Sequence, residues 1–111
     1  MKMISVKEGA PVENPPGVIR KTLAYDNEVM LCHFTLNKGA KIPLHNHRAT
    51  QAGYIVKGRV KFLSEDSKND FEGQAGDSYV FSAFAKHGTI ALEDTEYVEA
   101  FVPPRNEYKD F

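Results

Sequence analysis

"GAKIPLHNHRATQAGYIVKG", residues 39–58, sets two histidines one residue apart between a pair of glycines, with Gln51 four positions beyond the second histidine. On a β-strand the side chains at i and i+2 share a face, so His45 and His47 are expected to point the same way, and Gln51, at an even offset, to join them. Three groups able to hold a metal ion then converge. The stretch closes on Lys57-Gly58, a two-residue hairpin signal in which glycine supplies the positive φ of the turn. Strands are therefore read at 51–56 and 59–63.

Outward from this segment the apolar residues alternate instead of recurring every three or four positions, and glycine, proline and short polar clusters punctuate them. Further strands are expected at 18–24, after Pro15-Pro16-Gly17, and at 29–36, where Met30, Cys32, Phe34 and Leu36 share a face. Others follow at 71–72, 78–81, 89–92 and 97–102, with "SEDSKND" (64–70) as a solvated loop tip. About eight short strands at this spacing, without helical periodicity, give an all-β, single-domain jelly-roll sandwich or barrel. In the last strand Tyr97, Glu99 and Phe101 share one face and small apolar residues the other. From pattern alone Glu99 belongs on an exposed face, the fate of most glutamates. Arg105 follows Pro103-Pro104, whose fixed φ angles stiffen the exit from the strand; they either aim its guanidinium at the barrel mouth or leave it solvated.

Composition narrows the function classes. The chain has 111 residues, 41% hydrophobic and 26% charged, which suits one compact domain spanning 1–111. A formal charge of −1, with Lys and Arg scattered, speaks against nucleic acid or an anionic membrane as partner and for a small molecule. No stretch of about 18 apolar residues occurs, and residues 1–17 have no apolar h-region, so a soluble, cytoplasmic protein is expected. Cys32, the only cysteine, sits in an apolar run and reads as a buried structural thiol in a reducing compartment. His33 reads as a histidine satisfied by a hydrogen bond.

The spacing Gly39, His45, His47, Gln51, Gly58 is similar to the first motif of the cupin superfamily, with Gln where Glu is usual. The second motif is looser: Gly76-Asp77 opens it and His87 stands at the matching offset, while Ser82, Phe84 and Ala91 replace the usual Pro, Gly and Asn. Within cupins, residues 17–40, "GDSYVF" (76–81), "ALED" (91–94) and "EAFVPPRNEY" (99–108) resemble KdgF, a group of small cupins of pectin and alginate degradation.

The resemblance implies a divalent metal (Mn, Fe, Co, Ni, Cu or Zn) held by His45, His47, Gln51 and His87. It also implies ring opening and ketonisation of 4,5-unsaturated monouronates. Glu99, Phe101 and Arg105 match the family's functional Asp, Phe and Arg, although Glu is one methylene longer than Asp. Three imidazoles and an amide leave the ion's +2 charge uncancelled, which favours binding and polarising an oxygen-rich anion such as a sugar acid. The rival readings are a metal-dependent dioxygenase, an isomerase or lyase of another sugar or keto acid, and a non-catalytic ligand-binding cupin. Family habit adds a homodimer, with residues 1–17 as the exchanged segment.

Overall fold

The computed structural model describes residues 1–109, and these form ten strands and one 3-10 turn. In chain order the strands are β1 (Pro11–Glu13), β2 (Val18–Tyr25), β3 (Met30–Leu36), β4 (Lys41–His45) and β5 (Thr50–Lys57). β6 (Arg59–Ser64), β7 (Phe71–Gln74), β8 (Ser78–Phe81), β9 (His87–Ala91) and β10 (Thr95–Val102) follow, and the turn spans Asn106–Tyr108. Two antiparallel sheets carry them, one in the order β1-β2-β3-β10-β5-β8 and one in the order β4-β9-β6-β7. This is the expected all-β jelly-roll arrangement. No helix among the described residues is long and apolar enough to cross a membrane.

Alternation along the strands builds the interior. Met30, Cys32, Phe34 and Leu36 are all buried on the inner face of β3, and the Cys32 thiol donates to the Thr22 hydroxyl at 3.9 Å. On β10, Tyr97, Glu99 and Phe101 turn inward, which places a carboxylate among residues whose burial is worth about 1.5–3 kcal/mol per large apolar side chain. At one end Phe62 packs against Phe71, Tyr79 and Phe81 with centroids 4.3–5.3 Å away, filling the space beneath the histidines. His33 faces outward and is paired with Glu96 at 2.6 Å, as a satisfied histidine should be.

Two readings are corrected. Lys57-Gly58 does not turn a hairpin, because β5 and β6 lie in different sheets; it is the corner where the chain passes from one to the other. Gly58 has the expected positive φ, +89°, and a Cβ there would overlap the carbonyl oxygen of Asp94, so the corner has no room for another residue. β4 was not among the strands read from the sequence, and it carries Pro43, which lacks the N–H of a ladder. It is tolerated because β4 is the edge of its sheet. β1 was also unread, and it pairs with β2 of its own chain.

Candidate metal centre

His45 ends β4, His47 lies in the crossover at 46–49, and Gln51 is the second residue of β5 in the opposite sheet. The expectation that these three share one strand face is therefore wrong. They converge because the chain wraps the corner between the sheets. His87 opens β9 directly opposite His45 in the ladder, with ring centroids 4.4 Å apart. His47 joins them with centroids 5.5 Å from His45 and 5.0 Å from His87, and one ring nitrogen from each of the three lies within 4.8 Å of the others.

The hydrogen bonds fix which nitrogens are offered. Each Nδ1 faces a backbone carbonyl: His45 to Pro43 at 3.0 Å, His47 to Ala49 at 2.8 Å, His87 to Ala85 at 2.9 Å. A carbonyl only accepts, so each Nδ1 carries the proton and each Nε2 presents a lone pair. Phe81 stacks on the His87 ring at 4.5 Å and 12°, holding its plane. Burial pushes His87 down to a pKa of about 4, and burial followed by the Arg105 charge lowers His47, which keeps both rings neutral at neutral pH.

Two observations test whether a metal fits. His87 Nε2 is buried without a hydrogen-bond partner. Gln51 Oε1 stands 3.0 Å from His47 Nε2, and its identity as oxygen follows from the other end of the amide, where Nε2 donates to Glu99 Oε2 at 2.6 Å. Two lone pairs thus face each other across 3.0 Å, an arrangement that needs positive charge between or beside them. A divalent ion, were it held by His45, His47, His87 and Gln51, would satisfy all of it, and nitrogen with amide oxygen accepts any of Mn, Fe, Co, Ni, Cu or Zn.

Glu99 lies inside, against its pattern-based placement on an exposed face. Its Oε2 accepts from both Gln51 Nε2 and the Tyr79 hydroxyl, the latter at 2.5 Å. Burial raises its carboxyl to about 7, opposed by those two hydrogen bonds and by the Arg105 charge. Tyr79 was missed. Its signal was Gly53: Tyr79, Gly53 and Glu99 are in register across β8, β5 and β10. Neighbouring strands are about 4.8 Å apart, so the tyrosine reaches Glu99 only by lying over the middle strand. A Cβ on Gly53 would overlap the Tyr79 ring.

Phe101 packs edge-on to His47 with centroids 6.0 Å apart. The Arg105 guanidinium is turned back over the Phe101 ring at 5.7 Å, and its donors are engaged by Glu107 Oε1 at 2.6 Å and the Tyr108 hydroxyl at 2.7 Å. Arg20, also unread, lies against the Tyr108 ring at 4.2 Å, as Arg105 does. Phe84 stands where the motif usually has glycine and keeps a left-handed φ of 63°, while its N–H donates to the His47 carbonyl at 2.7 Å. The path of the second motif survives the substitution at a steric cost of about 1–2 kcal/mol. An interior cavity of about 30 Å³ is lined by His45, Gln51, His87, Glu99 and Arg105. Outside it, a groove of about 340 Å³ is lined by His47, Arg48, Arg105, Glu107 and Lys109.

No curated protein matches the sequence significantly. Among solved structures, KdgF from Halomonas sp. is 27% identical, with a TM-score of 0.87 over 96% of this chain and 97% of that one. An RmlC-like cupin from Shewanella frigidimarina is 23% identical, with a TM-score of 0.88 over 97% of this chain and 96% of its own. The polyketide cyclase RemF from Streptomyces resistomycificus is 16% identical, with a TM-score of 0.81 over 96% and 82% of the two chains. Residues 32–102 match the cupin domain family, so this chain belongs to the cupins, and among them it resembles KdgF.

Proposed function

We propose that this cupin is a metal-dependent enzyme that opens and ketonises a 4,5-unsaturated monouronate. The observation that carries the reading is Glu99, a buried carboxyl raised to about 7, lining the same cavity as the histidines and Gln51. Enol-to-keto conversion needs a group that gives and takes a proton near neutrality, and this carboxyl meets that need. Its Oε2 is engaged by two donors, which leaves Oε1 as the oxygen a substrate would meet. The bound ion would supply polarisation of substrate oxygens and lower the cost of negative charge on them.

Size supports a place for the substrate outside the interior cavity. About 30 Å³ admits little more than a water, so the sugar acid would extend along the groove of about 340 Å³, with its reacting end toward Glu99. Arg48, Arg105 and Lys109 line that groove and favour an anion. Arg105 would pair with the substrate carboxylate, for which a guanidinium fork is well suited, and Phe101 would wall the ring. The test follows the ultraviolet absorbance of unsaturated galacturonate and guluronate monomers, since ketonisation removes the conjugated double bond. Metal-loaded protein should speed the decay, and an unchanged rate would sink the proposal.

Glu107 occupies the guanidinium that the substrate carboxylate would use. Glu107→Gln is therefore expected to lower KM while leaving kcat unchanged. An ion pair with one exposed partner contributes about 0.2–1 kcal/mol, which bounds the change at roughly fivefold. Steady-state kinetics on the uronate monomers checks it, and a raised KM would show that Glu107 helps binding instead.

The chain is also proposed to form a homodimer. In support, the outer face of the larger sheet exposes Leu31, Tyr54, Val56, Val80 and Val102, with Leu31, Ala100, Ala52 and Val80 in one cross-strand row. A monomer mass in sedimentation equilibrium would refute it.

A further inference from the structure

We propose that Glu99 is a positioning residue for the metal centre: its carboxylate orients the Gln51 amide so that the carbonyl oxygen, and not the NH2 group, is turned toward His47. The two ends of an amide have nearly the same shape and opposite hydrogen-bonding character. Turned over, Gln51 would point an N–H at the lone pair of His47 Nε2, 3.0 Å away, and make a sound hydrogen bond there. That bond would satisfy both groups and close the site to a metal. Glu99 prevents it, because the flipped amide would set its oxygen against Glu99 Oε2 at 2.6 Å, acceptor against acceptor.

The carboxylate is held for this task from its other side. The Tyr79 hydroxyl donates to the same oxygen, and the absent side chain at Gly53 gives the tyrosine its route. The constellation also accounts for an amide where a carboxylate ligand is usual. A carboxylate at position 51 would set like charge against the Glu99 carboxylate at hydrogen-bond distance, and the pair would have to take up a proton to relieve it. An amide supplies a ligand oxygen on one side and a donor on the other.

The inference rests on the metal reading and not on the uronate reaction, so it stands or falls separately from the ketonisation assay. Its test is a double-mutant cycle of wild type, Gln51→Glu, Glu99→Gln and the exchange carrying both substitutions. Affinity for Zn(II) is read by chelator competition, and melting of the metal-free proteins reports folding. Glu99→Gln should bind roughly 10–100-fold more weakly, the loss typical when a group that orients a ligand is removed. The exchange restores a donor facing an acceptor. It should therefore bind at least about tenfold more tightly than the two single effects multiplied together would give, a coupling within the range found for contacting residues. Wild-type affinity in Glu99→Gln, or multiplicative single effects, would overturn the proposal. Should Glu99→Gln not fold, melting decides: the exchange should melt above Gln51→Glu, and an exchange melting no higher overturns the idea. Wild type that binds no Zn(II), Ni(II) or Mn(II) would instead sink the metal reading itself.

Discussion

His87→Ala should bind metal roughly 10²–10³-fold more weakly than wild type, because four-ligand sites hold Zn(II) by about 10–16 kcal/mol in all, or about 2.5–4 kcal/mol per ligand. Ketonisation at limiting metal should vanish with it. Folding of the metal-free protein is expected to change far less. In that state His87 Nε2 is a buried atom without a partner, so removing the ring relieves an unsatisfied group while giving up the stack on Phe81. The two states thus separate the roles: excess metal should raise the melting temperature of wild type, by the mass action of a ligand that binds only the folded chain, and raise that of the variant far less. His33→Ala serves as the control. It breaks the 2.6 Å pair with Glu96 on the outer face and should leave metal affinity untouched. Equal metal-induced shifts in wild type and His87→Ala would remove His87 from the ligand set.

What the sequence revealed, and what it hid, follows from the range of the forces involved. Alternation on β3 and β10 was legible because a side-chain period of two is local, and it set Met30 with Cys32 and Tyr97 with Phe101 on common faces, which the structure turns inward. Pattern alone put Glu99 on an exposed face, because nothing local says which face is the inside; only the enclosure by Tyr79 and Gln51 decides that. His45, His47 and Gln51 were rightly brought together for a wrong reason. Their spacing suits one strand face, whereas the structure uses a corner between two sheets. Gly58 shows the same limit: glycine announces a positive φ, and hairpin and corner require it alike. Tyr79 and Gly53 are 26 residues apart and mean little singly, since their relation exists only once β8 and β5 are paired. For Arg105 the barrel mouth and solvent stayed open as alternatives, because its engagement by Glu107 and Tyr108 depends on a single 3-10 turn that carries no apolar period.

At saturating metal, Glu99→Gln should lose roughly 10²–10⁴ in kcat, the range supplied by a positioned acid or base. Saturation matters, because the same substitution is expected to weaken the metal site, and only the rate of the loaded protein isolates proton transfer. The pH profile sharpens the test. Burial holds the carboxyl near 7 in the metal-free protein, and a neighbouring divalent charge favours the ionised form and draws it lower. Wild type should therefore show a limb at or below about pH 7, with the rate rising as the carboxyl ionises if proton abstraction limits, or falling if proton delivery does. An amide has no such titration, so the residual rate of Glu99→Gln should lack that limb. Should the variant keep wild-type kcat and the same limb, the proton carrier is another group. Glu99 would then act through Gln51 alone, as the residue that decides which end of an amide meets the metal.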